Sequence, residues 1–301
     1  MKEVVEALAG ENRADRADVE HSTRDSPVLD SPREEAQKSY HTVLEQHVEQ
    51  ALEDLGRPAA GLLLSSFSAG LDIGFGPFAM AVISTLTRDT FSDASVELLT
   101  ALAYTSGFLL VIVGRSALFT EQTTSAVLPV LAGRAPGHRL LRLWFLVLVG
   151  NLLGGALAAA FISYLGQQLG IVDVAALGAI ADKLVRHSSF VVFLSAVAAG
   201  WLMGLLAWLV VASRETTSQV LLIVVVTFVI GISSLHHSIA GAVEVLMAVF
   251  ANAGPTLFDY GRVVGWSIIG NAVGGAVFVA LLKFGHVHAS SPRATRMSAN
   301  R

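Results

Sequence analysis

At 301 residues, 53% apolar and only 15% charged, with a mean hydropathy of +0.62, the chain has the balance of a membrane protein. Its formal charge of −4 is unevenly spread: residues 1–57 hold a large share of the acids and bases, whereas Phe145 to Ile171 and Gln219 to Leu235 hold none. Cysteine is absent, which excludes disulfides, thiolate chemistry and cysteine-held metals.

The N-terminus has no apolar core followed by a small-residue cleavage site, so no cleaved signal peptide is expected. Residues 1–34 are polar, rich in both charges and too poor in apolar side chains to bury a core, and are expected to be a disordered cytoplasmic tail. Over 35–57, Val43, Leu44, Val48, Leu52 and Leu55 recur at helical spacing among Glu, Gln and Lys. That pattern predicts an amphipathic helix on the membrane surface or against a bundle.

Six apolar segments follow, near 58–86, 95–131, 142–165, 189–212, 219–250 and 263–284. Each is long enough to cross a hydrocarbon core of about 30 Å, which takes about 20 helical residues. They predict a channel domain over 58–285, leaving 286–301 as a second cytoplasmic tail. The second and fifth segments are overlong and carry polar breaks, one at Gly114 to Thr123, the other at Gly231-Ile-Ser-Ser-Leu-His236-His237-Ser238. Unpaired polar groups at mid-membrane cost several kcal/mol each, so each break predicts two half-helices and a transport site. The half-helix N-termini are expected to offer free N–H groups to an anion.

An internal repeat runs through these spans. Trp144…Gly150-Asn151-Leu-Leu-Gly154-Gly155 recurs as Trp266…Gly270-Asn271-Ala-Val-Gly274-Gly275, and Ala69-Gly70 has an echo in Ala199-Gly200. Three spans per repeat is an odd number, so the halves are expected to insert in opposite senses, as two inverted three-helix repeats of an all-α membrane protein. Arg134, Arg139 and Arg142 in one loop, with Lys283, Arg293, Arg296 and Arg301 after the last span, outnumber the bases of the opposite loops, which puts both termini in the cytoplasm.

Five motifs on these spans resemble the formate/nitrite transporter family: Phe67-x-Ala69-Gly70-x-x-Ile73-Gly74, Leu118-Phe119-Thr120, Gly150-Asn151, His237-Ser238-Ile239-Ala240 and Gly270-Asn271, together covering about residues 35–285. The resemblance implies an aquaporin-like protomer in a homopentamer, set in the inner (cytoplasmic) membrane. It implies a pore constricted by Leu118 and Phe119, with Thr120 facing His237 as the central pore histidine and Asn271 in its hydrogen-bonding network. This chain departs from the family pattern at His236, where an acid is usual, at Gly241 and Gly204, where asparagines are usual, and at Ala117, where an acid often stands. A family lysine near the start of the fourth span has no counterpart at the same spacing; Lys183 is close but out of step. The departures mark a divergent branch.

His236 is also a pore candidate, although adjacent helical residues point about 100° apart and only one need face the pore. No Asp or Glu at ligand spacing accompanies the two histidines, so no metal is expected. Arg115 and Glu121 are expected to pair. Glu244, seven residues beyond His237, belongs either to a subunit interface or to a vestibule. Asn151 reads as structural. The chain shows no nucleophile or phosphate loop and its soluble tail is short, so it is expected to be no enzyme, without cofactor and without a nucleic-acid partner. The expected function is passage of a small monovalent anion such as formate or nitrite across the bilayer, linked to protons through His237. An aquaporin-like pore for a neutral solute or protonated weak acid is the alternative.

Overall fold

The computed structural model describes residues 38–289, and every regular element among them is helical. The tail expected over 1–34 lies outside the described residues. Ser39 opens α1 (Tyr40–Gly56) by accepting the Thr42 N–H, and Val43, Leu44, Val48, Ala51 and Leu55 form its buried stripe. Helices α2 (Ala59–Ile73) and α3 (Phe75–Thr87) run on from one another across Gly74. Pro77 stands at the third position of α3, where its missing N–H leaves one bond of the join unmade.

Ser92 caps α4 (Asp93–Val113), which is followed by the short α5 (Phe119–Ser125) and α6 (Val127–Leu131), then by the 32-residue α7 (Gly137–Gln168). After α8 (Val174–Val185) come α9 (Ser189–Ala212), α10 (Thr216–Ile232), α11 (Ala240–Phe250) and α12 (Leu257–Val273), the last opened by a reciprocal Thr256–Asp259 capping box. A π-helical stretch, Gly274–Leu281, leads into α13 (Leu282–Ala289).

Among the described residues, five helical stretches are long and apolar enough to cross a membrane: Ala59–Thr87, Asp93–Val113, Gly137–Gln168, Ser189–Ala212 and Leu257–Ala289. Helices α10 and α11 are apolar too, but each falls short of that length. Leu64, Phe145, Phe161, Trp201 and Leu221 project outward from these helices, a surface that suits lipid or neighbouring subunits and not water.

Glycine sets the closest helix contacts. A Cβ on Gly70 would lie 2.3 Å from the Asn151 carbonyl oxygen, and one on Gly154 would lie 2.1 Å from that of Phe67, so α2 and α7 touch backbone to backbone. The same arrangement holds α9 to α12: the hypothetical Cβ of Gly200 falls 2.3 Å from the Asn271 oxygen and that of Gly274 falls 2.2 Å from the Val197 oxygen. Small residues at such crossings give dispersion contacts that apolar surface cannot supply in lipid. Helix α1 lies across the end of this assembly. Its Glu45 takes Arg134 at 2.7 Å, its Tyr40 ring meets His286 of α13 at 5.2 Å, and Lys38 just before it donates to the Val211 carbonyl at 2.7 Å. The two described ends of the chain therefore share one face.

Candidate pore and its constriction

Both helix breaks are built the same way. Helix α4 ends with Arg115 in the left-handed region (φ 55°), where Arg115 N–H reaches the Ile112 carbonyl and Ser116 N–H the Val111 carbonyl. Helix α10 ends with Ser234 at φ 46°, where Ser234 N–H reaches Gly231 and Leu235 N–H reaches Ile230. Each is a helix-terminating turn that satisfies the last carbonyls while turning the chain aside. A single asparagine then holds each break. Asn151 Oδ1 accepts from Phe119 N–H (2.8 Å) while its Nδ2 donates to the Ser66 and Ala117 carbonyls. Asn271 Oδ1 accepts from Ser238 N–H (2.8 Å) and its Nδ2 donates to the Ala196 and His236 carbonyls. Asn271 thus spends its carboxamide on backbone, as Asn151 does, and makes no bond to the His237 ring.

The two breaks meet at Thr120 and His237, whose Oγ1 and Nε2 lie 2.9 Å apart. The backbone N–H groups of Ile239 and Ala240 point at the other ring nitrogen, Nδ1, at 3.3 and 3.2 Å. A nitrogen that accepts cannot carry a hydrogen, so the ring holds its one hydrogen on Nε2 and donates it to Thr120. The Thr120 hydroxyl hydrogen is then left free for another acceptor. The N–H groups at the start of α11, which the sequence offers to an anion, are instead taken up by His237 itself.

His236 points elsewhere. Its Nε2 donates to the Leu184 carbonyl at 2.9 Å, its Nδ1 lies 2.9 Å from Ser195 Oγ, and its ring meets that of His187 at 6.0 Å. It ties the end of α8 and the side of α9 to the break. Its hydrogen-bonding capacity is filled there, away from Thr120.

Leu118, Phe119, Thr120 and His237 are all sealed, none more than 2% exposed. Two cavities flank them. One, of about 270 Å³, is lined by Asp93, Glu97 and Tyr104 of α4 together with Lys183, Ile230 and Glu244. The other, of about 530 Å³, is lined by Ile112 and Val113 of α4 and by Ala117, Glu121, His47 and Asp54. Along α4 the lining of the first space runs to Tyr104 and that of the second starts at Ile112, eight residues or about 12 Å further at 1.5 Å per residue. The closed segment between them is the candidate constriction. Phe108 stacks its edge on the His237 ring at 5.0 Å and Tyr104 meets Phe108 at 5.0 Å. These two aromatics escaped the sequence reading. Their i, i+4 spacing on α4 was the available signal, but such spacing also describes ordinary core.

Phe119 turns its ring toward Trp144 (6.1 Å), and Trp144 Nε1 donates to the Gln122 carbonyl, so α5 is clamped from α7. Arg115 and Glu121 do not come within ion-pair distance among the described residues; Arg115 is exposed and Glu121 lines the second cavity beside Asp54. Arg115, at the left-handed turn that ends α4, lines the same cavity without reaching Glu121. The positions of the two usual family asparagines are also filled differently. A Cβ on Gly204 would fall 2.2 Å from Thr124 Oγ1, which bonds the Gly275 carbonyl, and one on Gly241 would meet Leu184 at 3.4 Å. Glu244 lines the first cavity.

Comparison with known proteins places this architecture. The formate/nitrite transporter family model matches residues 41–285. The inner membrane protein YfdC of Escherichia coli (strain K12) is 29% identical over 243 residues, covering 80% of this chain and 76% of that protein. A solved FNT family ion channel superposes with a TM-score of 0.72 at 22% identity, over 83% of this chain and 99% of that one. A pentameric formate channel with formate bound gives 0.64 at 25% identity, over 76% and 98%. With the family's match spanning the helices, both breaks and the constriction, this multi-pass membrane chain belongs to the formate/nitrite transporter family.

Proposed function

We propose that the protein passes a small monovalent anion of the formate or nitrite kind, accompanied by a proton, through a slit formed at Leu118, Phe119, Thr120 and His237. The carrying observation is the Thr120–His237 pair, 2.9 Å apart and sealed between cavities at opposite ends of α4. On this reading α4 with α5 and α10 with α11 are the two interrupted spans of an inverted repeat, and the homopentamer of the formate channel neighbour is this chain's assembly as well. The termini lie in the cytoplasm, on the side of Arg134, Arg139 and Arg142.

A bare anion cannot cross so apolar a slit, because burying an uncompensated charge costs far more than one hydrogen bond returns. The neutral ring of His237, donating through Nε2, orients the Thr120 hydroxyl so that its own hydrogen faces the permeating oxygen. The slit supplies a directed hydrogen bond and the proton neutralises the charge. His236 and Asn271 hold the backbone on which this pair sits.

The taking up of α11's first N–H groups by His237 also favours a second reading, an aquaporin-like pore for a neutral solute or the protonated acid alone. Flux of labelled formate into liposomes, with nitrite as competitor, separates the two across external pH 5 to 8 for wild type and His237→Asn. Uptake that rises on acidification and collapses in the variant is the expected result. No flux of either anion, or an unchanged variant, overturns the proton-linked anion reading.

A further inference from the structure

The His237 site leaves the source of the proton open. A ring whose Nδ1 accepts two backbone N–H groups cannot take a second hydrogen without displacing the start of α11. Giving up the hydrogen on Nε2 would leave an imidazolate, too basic a product to form at ordinary pH. The slit can therefore orient a proton but not exchange one. On the path into it, a different group is placed to do so.

Glu244 of α11, seven residues beyond His237, is only 7% exposed and stands in the wall of the cavity of about 270 Å³. It makes no hydrogen bond or ion pair among the described residues. Lys183 of α8 lines the same cavity, but its ammonium is held by the Glu97 carboxylate of α4. Arg88, after α3, is turned to Asp173 at 2.9 Å, and Asp93 stands at the mouth, the first residue of α4. Arg262 of α12 is engaged with the Val185 and His187 carbonyls. Helix α7 brings Gly155 against Val243 and Ser163 against the Met247 carbonyl, neither of them ionisable. The other polar side chains lining the cavity are the hydroxyls of Ser84, Thr100, Ser234 and Tyr104, and Tyr104 leads through Phe108 to His237. The cations nearby are spoken for. A charged carboxylate would be unpaired against Ile230 and Leu184, whereas a neutral carboxyl can lie there and donate.

We propose that Glu244 is the proton-exchanging residue of the cavity opposite the termini, acting on a weak-acid anion before it enters the slit. The inference rests on the anion reading above. In the step, the Glu244 O–H bond breaks and an O–H bond forms on the substrate oxygen. The neutral acid moves on to Thr120, and the carboxylate left behind takes a proton back from cavity water. In the reverse direction the carboxylate removes the proton from the emerging acid.

The test is labelled formate uptake into proteoliposomes, oriented by a protease-accessible tag, with external pH set from 5 to 8. Glu244→Gln keeps shape and hydrogen-bond donation but has no exchangeable acid proton. Its flux should fall at least tenfold at pH 8 and less than twofold at pH 5, where the free acid is more abundant. Glu244→Asp, which restores a carboxyl, should recover the wild-type shape of the profile at lower amplitude. A Gln variant with the wild-type profile, or one scaled down equally at every pH, overturns the proposal, and so does an Asp variant as flat as Gln. Wild-type vesicles that pass neither formate nor nitrite overturn the anion reading itself. Wild-type flux with an insensitive Glu244 overturns only the role given to that residue.

Discussion

Asn151 and Asn271 grip the two helix breaks with equivalent bonds: each accepts one backbone N–H at 2.8 Å, from Phe119 and Ser238, and each donates to two carbonyls. Replacing either by Leu takes this partner from the N–H of Phe119 or Ser238 and from the carbonyl of Ala117 or His236 at the break, at about 1–3 kcal/mol apiece. Both leucine variants should lose the native oligomer, read by size-exclusion after heating, at temperatures the wild type survives, and by similar margins. Asp in place of Asn keeps the acceptor but faces two carbonyls with lone pairs, and should be nearly as damaging. A loss confined to Asn271 would mean that it serves the His237 network, as the family resemblance implied, and is more than a brace.

Thr120 has a role that separates its hydroxyl from its methyl group. Thr120→Ser keeps the acceptor for His237 Nε2 and should hold flux within a few-fold of wild type. Thr120→Val leaves a buried ring N–H without a partner and the substrate without a donor. The cost of about 1–3 kcal/mol corresponds to a roughly tenfold or greater loss of flux in the same vesicle assay. Equal activity in the Ser and Val variants would remove the hydroxyl from the mechanism.

Helix α1 carries a pH dependence of its own. His47 is 2% exposed, packed beside Trp208 with its Nε2 on Ser125, and burial lowers its pKa from 6.5 to about 4. The docked helix thus favours the neutral ring, whereas an undocked helix titrates at the ordinary value. Docking is at full strength above about pH 6.5, weakens as pH falls toward about 4, and levels off below; the total is of order 3 kcal/mol. Hydrogen exchange over Tyr40–Gly56, corrected for intrinsic rate, should be faster at pH 4.5 than at 7.5, and His47→Gln should flatten the difference. Equal corrected rates in the wild type would show that His47 stays docked when charged.

Much of this was legible in the sequence because lipid imposes a coarse rule. Long uncharged runs mark helices, and a polar break inside one marks a site. Gly70 and Gly200 were legible because a repeated small residue has few explanations in a membrane helix. The direction of His236 was not, since the partner that draws it away, the Leu184 carbonyl, comes from a backbone 52 residues earlier. The left-handed turns that end α4 and α10 were not legible either, since no residue type announces them and Arg115 is as unusual there as Ser234. Glu244 was visible, but whether it met a vestibule or a neighbour depended on where α8 lay.

The two repeat tryptophans show where sequence symmetry stops. Trp144 clamps α5 by donating to the Gln122 carbonyl at 2.9 Å and meeting the Phe119 ring edge to face. Trp266, its partner in the motif, is 41% exposed, makes a ring contact with Phe193 at 6.2 Å and donates no hydrogen bond among the described residues. The second break needs no such clamp, because His236 and Asn271 already hold it. Trp144→Phe should leave the Gln122 carbonyl with the Ala126 N–H alone and loosen the Leu118–Thr120 turn, lowering formate flux several-fold and raising hydrogen exchange over Phe119–Ser125. Trp266→Phe should change neither in vesicles of matched protein content. If instead the two variants behave alike, the motif's tryptophans serve lipid or subunit contacts in common, and the clamp on α5 must be sought in Asn151 alone.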